Sequence, residues 1–305
     1  MSKEYVYFSG DYGIADPYIE LEGGMLPVSF LLDSNTLYGD GVFEGIRIYG
    51  GRIFKLKEHL DRLWNSSAFL EIEIPYTKEN LAGTLKTLGR RNDIRGTGYI
   101  RLVVTRGRRL DLGINPTKVN KATVFIIART LQLYPEEFYE KGLSVITAET
   151  RRTPPVCINP NVKTCNYVNN ILAVIEGNRA GVPEVIMLTT DGEVSECSAD
   201  NIFIVRDGVV LTPPEDNILV GVTRETVLSL CRRLGIEARE ESLTQEDIHS
   251  ADEVFLTGSG AEVAPIVRVD GKRIADGRPG SITGKLLRAF RKEVNDPGNS
   301  VPIFD

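Results

Sequence analysis

The run VIMLTTDGEVSECSADNIFIVRDGVVLTPP, Val185–Pro214, limits the possible folds of this chain more than any other stretch. Short blocks of β-branched and aromatic residues are separated there by Asp191-Gly192 and Asp207-Gly208, pairs that supply the positive-φ backbone of tight turns. The pattern predicts a meander of short strands whose open face can carry polar side chains. A helix over Thr223–Leu234 follows, and then a strand, DEVFLT, which runs into the small-residue turn Gly258–Ala261. Upstream, a strand near Leu143–Thr147 and a proline- and asparagine-rich stretch, TPPVCINPN, precede a helix over Val168–Ala180 that Gly181 can close.

The first half reads differently. Tyr5–Phe8 and Val42–Tyr49 look extended, whereas Leu56, Leu60, Leu63, Ser67 and Leu70 recur at three- and four-residue steps, the stripe of a helix facing a core. Arg62 falls beside that stripe. Asn80–Arg91 predicts a second helix, and Tyr99–Val104 and Thr123–Ala128 two more strands. At 305 residues the chain exceeds one comfortable core. We therefore expect an α+β domain over 1–128, a connection over 129–140 that contains Pro135, and a β-rich domain over 141–305.

Composition removes several function classes. A formal charge of −6, from 36 basic and 42 acidic residues, disfavours a nucleic-acid binder held by phosphate contacts. The four cysteines have no CxxC spacing and the only histidines are His59 and His249, so neither a zinc site nor a disulfide scaffold is expected. No apolar run approaches the roughly 20 residues that span a bilayer, and the start lacks a signal-like charge and apolar pattern. The expected location is the cytoplasm.

Four places could carry chemistry. Lys163 lies in NPNVKTCNY, between a turn-rich loop and the following helix. Most lysines are merely solvated, but a partly desolvated one becomes an amine nucleophile able to hold an aldehyde as a Schiff base. Gly221-Val222-Thr223 at a predicted helix start reads either as a threonine N-cap or as a seat for a phosphate. Thr257-Gly258-Ser259-Gly260 offers hydroxyls and closely spaced amides, in a turn that can equally be structural. Period-two alternation puts Glu196 on the face of Val194, with Ser195 and Cys197 opposite. A carboxylate there calls for a cation, which is either a nearby lysine or arginine or the protonated ring nitrogen of a cofactor.

Seven segments, in one order along nearly the whole chain, carry a resemblance: LYGDGVFEGIR (Leu37–Arg47), EHLDRLWNSS (Glu58–Ser67), YIRLVVTRG (Tyr99–Gly107), VKTCNYVNNIL (Val162–Leu172), GEVSECSADNIF (Gly192–Phe203), GVTRE (Gly221–Glu225) and DEVFLTGSGAEVAPI (Asp252–Ile266). The chain resembles the class IV, or fold type IV, pyridoxal-phosphate aminotransferases, most closely those of branched-chain amino acids. The resemblance implies a two-domain α+β fold, with a smaller N-terminal domain and a larger, β-rich, cofactor-binding C-terminal domain. It implies pyridoxal 5'-phosphate held on Lys163 as a Schiff base, with Lys163 also moving the proton between substrate and cofactor. Tyr167 would bond the phenolic oxygen and Glu196 the ring nitrogen. Arg62, Val222, Thr223 and Ser259 would hold the phosphate, with Leu219 under the ring. Tyr38, Phe43 and Tyr99 would surround the substrate side chain, Ser259 and Gly260 would serve its α-carboxylate, and Arg101 would receive the distal carboxylate of 2-oxoglutarate. A homodimer is implied as well.

The chain also departs from that pattern. Leu102 stands where the family's YIRP motif has proline, Arg106, Arg108 and Arg109 crowd one segment, and the 128–139 stretch lacks a tryptophan found in some relatives. The segment VVTRG is similar to D-amino acid aminotransferases, in which an arginine at the position of Arg106 takes the α-carboxylate. Transamination of leucine, isoleucine and valine with 2-oxoglutarate is the leading expectation, and a D-specific or mixed transaminase is the alternative. An aminodeoxychorismate lyase and a non-catalytic homologue rank behind both.

Overall fold

The computed structural model describes residues 5–9, 18–20, 31–131 and 134–304. The chain divides into two compact units, one formed by Met1–Gln132, Val162–Asn166 and Val294–Asp305, the other by Leu133–Asn161 and Tyr167–Glu293. The sequence reading cuts the chain once, over 129–140; here two later segments also return to the first unit. Residues 132–133 of the expected connection lie outside the described residues.

The first unit contains strands β1 (Tyr5–Ser9), β2 (Tyr18–Glu20), β3 (Gly41–Tyr49), β4 (Arg52–Phe54), β5 (Gly98–Thr105) and β6 (Thr123–Arg129), with helices α1 (Ser34–Tyr38), α2 (Leu56–Phe69) and α3 (Lys78–Arg91). Its antiparallel sheet runs C-terminal strand Ser300–Pro302, β4, β3, β5, β6, β1, β2. The predicted stripe of α2 is real: Leu56, Leu60 and Leu63 are buried and join Leu81, Leu85 and Leu88 of α3 over Val42, Ile46, Ile48, Ile100, Leu102 and Val104. Each such side chain contributes about 1.5–3 kcal/mol by leaving water. Period two in β3 then turns Phe43 and Gly45 to the opposite face of the sheet.

The second unit contains β7 (Leu143–Thr147), β8 (Glu184–Leu188), β9 (Val194–Cys197), β10 (Asn201–Arg206), β11 (Val209–Thr212), β12 (Ala238–Glu240), β13 (Glu253–Gly258), β14 (Glu262–Val269) and β15 (Lys272–Arg273). Its helices are α4 (Glu136–Lys141), α5 (Val168–Ala180), α6 (Val222–Leu234), α7 (Gln245–Ser250) and α8 (Ser281–Glu293). The sheet order is β12, β11, β10, β13, β14, β7, β8, β9, with β15 on β14. The expected meander is two hairpins, β8–β9 and β10–β11, set apart in this order. Because only residues 198–200 separate β9 from β10, with the Cys197 N–H donating to Asp200 O at 2.7 Å, the sheet curls back on itself.

One local expectation is corrected. Val194 pairs with Leu188 and Glu196 with Met187, so Ser195 is an extra residue that opposes nothing on β8. This bulge breaks the alternation. Val194 and Cys197 both enter the apolar core, the Ser195 hydroxyl donates to Asn217 O at 2.6 Å, and Glu196 is turned away from Val194.

Candidate functional site

In the first unit β4 pairs with β3 only at Ile48 and Tyr49, which leaves the β3 edge at residues 41–43 uncovered. The segment Val162–Asn166 occupies it. Phe43 N–H donates to Lys163 O at 3.0 Å, Cys165 N–H to Gly41 O at 2.8 Å, and Thr164 bridges to Val42. The Lys163 N–H donates to Ser66 Oγ on α2 at 3.0 Å. The lysine backbone is thus pinned from two sides, and its Nζ lies 4.6 Å from the centre of the Phe43 ring.

The same face of the sheet gathers Arg101 and Tyr99. The Arg101 guanidinium sits 4.5 Å from the Phe43 ring centre and donates from Nη2 to the Tyr99 hydroxyl at 2.9 Å. Gly45 makes room for that hydroxyl: a Cβ at this position would lie 2.1 Å from it. Phe43, Tyr99, Arg101 and Lys163, chosen from sequence, therefore come together. Cys165 offers no competing nucleophile, since burial pushes its thiol up to about 12.

Behind this face lies a buried polar cluster. Glu44 has no exposed surface; its Oε1 accepts from Arg62 Nε, and its Oε2 from Arg62 Nη2 and His59 Nδ1, each at 2.7 Å. Burial alone would raise the Glu44 carboxyl, but the Arg62 charge and the bonds from Arg62 and His59 outweigh it and hold it down to about 2. Burial also lowers His59 below its ordinary value of 6.5, so the ring stays neutral and donates from Nδ1. An acid-stability consequence follows. As pH falls from 4.5 toward about 2, the unfolded chain takes up a proton at this position that the folded one refuses, so the contribution of ionised Glu44 to stability is progressively lost. Urea midpoints of the wild type and Glu44→Gln are therefore expected to converge over that range; a constant gap would mean that Glu44 is not ionised in the native state.

The second unit positions Glu196. Its Oε1 accepts from Arg152 Nε at 2.8 Å, and its Oε2 from the Leu219 N–H at 3.1 Å and Asn201 Nδ2 at 3.3 Å. Arg152 is the arginine partner anticipated for this carboxylate. Asn201 Nδ2 also donates to Leu219 O at 2.8 Å, tying the approach to α6 against β10. Gly221 is required there, because a Cβ would meet Asn201 Oδ1 at 2.1 Å.

The threonine N-cap is not observed. Gly221 is the N-cap of α6 and no side chain caps it, while Thr223 is the buried second residue of the helix. The first amides of a 13-residue helix thus lack a side-chain acceptor, an arrangement suited to an anion. Thr257 pairs across the sheet with Asn201, so the two side chains share a face, and its buried Oγ1 has no hydrogen-bond partner. Left unmet, that hydroxyl costs about 1–3 kcal/mol, which a ligand oxygen would recover. Ser259 and Gly260, half-buried, form the turn after β13, while Leu219 lies two residues before Gly221 and Val222 directly after it. The donor set of this unit fits a phosphorylated, nitrogen-containing ring.

Two further assigned residues stand at helix ends. Tyr38, at the end of α1, is half-exposed; its hydroxyl donates to Leu112 O and its ring faces Arg109. Tyr167 is half-buried at the N-cap of α5. Sequence reasoning does not reach Ser66, Glu44, His59, Arg152 or Asn201. Glu44 carries a readable signal, a carboxylate in phase with Val42, Ile46 and Ile48, and His59 falls one helical step after Leu56. Asn201 and Thr257 meet only through strand register. Among the described residues no His, Cys, Asp or Glu group could hold a metal ion, and no helix is long and apolar enough to cross a membrane.

Residues 41–269 match the family model described as amino-transferase class IV, well over half of the chain. The protein belongs to the class IV aminotransferases. It is 47% identical over 262 residues to a Methanocaldococcus jannaschii protein described as "Putative branched-chain-amino-acid aminotransferase", covering 86% of this chain and 89% of that one. It is 35% identical over 264 residues, with the same coverages, to the D-alanine aminotransferase of Listeria monocytogenes. Among solved structures it is similar to the branched-chain amino acid aminotransferase from Thermobaculum terrenum in its PLP form, at a TM-score of 0.85 and 27% identity, covering 100% of this chain and 99% of that one.

Proposed function

We propose that this aminotransferase uses pyridoxal 5'-phosphate to move the amino group of leucine, isoleucine or valine to 2-oxoglutarate in two half-reactions. When bound, the cofactor supplies an aldehyde carbon that accepts the amino group and a ring that accepts the electron pair released at the substrate Cα. Lys163 anchors that aldehyde and carries the proton between the two carbons. Glu196 holds the ring nitrogen protonated, Tyr167 bonds the phenolic oxygen, and Leu219 packs under the ring. Arg62, the Val222 and Thr223 amides with the Thr223 hydroxyl, and Ser259 bind the phosphate. Phe43, Tyr99 and Tyr38 enclose an apolar side chain, Ser259 and Gly260 take the α-carboxylate, and Arg101 takes the distal carboxylate of the acceptor.

The observation that carries this reading is the grouping of Lys163, Phe43, Tyr99 and Arg101 on one sheet face, where an aromatic wall and a cation stand together. An apolar side chain packs on the former and an acidic one reaches the latter. Initial rates with L-leucine, L-valine, D-alanine and D-glutamate, each with 2-oxoglutarate and pyruvate, test it. Absence of oxo-acid formation from L-leucine with 2-oxoglutarate sinks it.

The D-specific alternative draws on the Listeria relative and asks Arg106 to take the α-carboxylate. That arginine is committed elsewhere. Its Nε and Nη2 clasp both oxygens of Asp40 at 2.6 and 3.1 Å, and its terminal nitrogens donate to Leu70 O at 2.8 Å and Glu71 O at 3.3 Å. Arg109 is likewise buried against Asp111 and Asn115 O. These contacts favour the L-specific reading.

We also infer a homodimer or larger homo-oligomer. Support comes from α5, where Val168, Ile171, Leu172 and Ile175 form an exposed stripe at helical spacing, 38–62% accessible in the single chain. Light scattering at micromolar concentration is expected to give at least twice the chain mass, and Ile171→Asp to shift the distribution toward monomer. A monomeric wild type would refute the inference.

A further inference from the structure

Glu44 stands on the core phase of β3, between Val42 and Ile46, neither of which has any exposed surface. A carboxylate there is costly unless it is fully matched. Arg62 matches it in bidentate fashion, and the two bonds fix the plane of the guanidinium. His59, one helical turn before Arg62 on α2, donates to Glu44 Oε2 and so fixes the carboxylate in turn. Of the three, Glu44 has no exposed surface, the His59 side chain is 2% exposed and the Arg62 side chain 14%. Only the last member reaches the boundary where a ligand could touch it.

Resting on the proposed role of Arg62, we infer that Glu44 is a positioning residue for a phosphate clamp, aligning the Arg62 guanidinium edge-on for the anion, and that His59 locks Glu44 in that register. Glu44 supplies no charge for the phosphate, since its own charge opposes binding. What it supplies is orientation: without it, a long and rotatable side chain must be ordered by the ligand itself. Glutamine at position 44 would turn an amide N–H toward Arg62 or His59, both donors, and break one side of the arrangement.

The test compares pyridoxal 5'-phosphate with unphosphorylated pyridoxal, reading equilibrium affinity by absorbance titration rather than turnover. Glu44→Gln is expected to weaken pyridoxal 5'-phosphate about 10-fold, as loss of a supporting residue commonly does, and to leave pyridoxal within about 2-fold. Equal losses for the two compounds would show a merely structural role, and no loss would show none; either overturns the inference. Arg62→Leu must show the same selectivity for the phosphorylated compound. If it does not, the assignment of Arg62 fails first, and the inference with it. Should Glu44→Gln not fold, His59→Leu keeps the ion pair and removes only the lock; it is expected to lower the affinity ratio several-fold, and an unchanged ratio counts against the relay.

Discussion

Lys163→Ala is expected to lower transamination at least about 10,000-fold, because one amine performs both covalent anchoring and proton transfer, and acid–base work alone is commonly worth about 100- to 10,000-fold. Three nearby groups in the first unit cannot take over. The Cys165 thiol is held up at about 12, Ser66 Oγ is tied to the lysine's own backbone, and His59 is enclosed against Glu44. The substitution leaves the main chain of 163–165 on β3 intact, since its bonds there are backbone bonds. Cofactor should therefore still bind through its phosphate, but borohydride should no longer attach it to the protein. Steady-state rates together with mass spectrometry after reduction check both halves of the expectation. Residual turnover within 100-fold of wild type would remove Lys163 from the chemistry.

Glu196→Gln is expected to have the second-largest effect. An opposite charge beside a titrating group shifts it by about 1–3 pH units, so a neutral partner lowers the protonated fraction of the ring roughly 10- to 1,000-fold, and the rate with it. Arg152 complicates the outcome usefully. The substitution leaves its guanidinium, 15% exposed, facing an amide in place of a carboxylate, and breaking such a pair is destabilising. Thermal denaturation separates the two effects, because a stability loss lowers the melting temperature of apo and loaded protein alike, whereas the ring effect appears in rate and visible spectrum. An unchanged spectrum with an unchanged rate would mean that Glu196 serves Arg152 alone.

The amino-acid pattern foretells local structure well where one period dominates. β7 and α5 fall on the residues expected, and α2 ends one residue early. Helix α3 begins two residues sooner than its apolar spacing indicates because Thr77 caps it, its side chain accepting from the Asn80 N–H. Helix α8 has no counterpart in the sequence reading, although Thr283, Leu286 and Phe290 carry a legible three- and four-residue spacing. Strand content in β8–β11 is legible from composition, but pairing is not, since one extra residue at Ser195 reverses which side chains share a face. Periodicity cannot register such an insertion.

The candidate site divides along the same line. Individual residues are legible through seven ordered segments that resemble a known family, whereas their supports are not. The Glu44–His59–Arg62 cluster joins a strand to a helix, and Asn201 meets Thr257 only after β10 and β13 pair across more than fifty residues. Arg106, which the sequence leaves free to bind substrate, is engaged by an aspartate 66 positions earlier. Contacts of that range depend on topology, which a local pattern does not encode.

The C-terminal strand also bears on how this polypeptide is made. Ser300–Pro302 completes the edge of the first sheet on β4, Ile303 sits in its apolar core, and the Ile303 carbonyl accepts from Arg90 Nη1 at 2.8 Å. A nascent chain that has emerged only to residue 132 therefore lacks an outer strand and a core side chain of its own first unit. During translation that unit must wait, partly open, until the codons for residues 300–303 have been read, and a premature stop just ahead of them would leave it permanently unfinished.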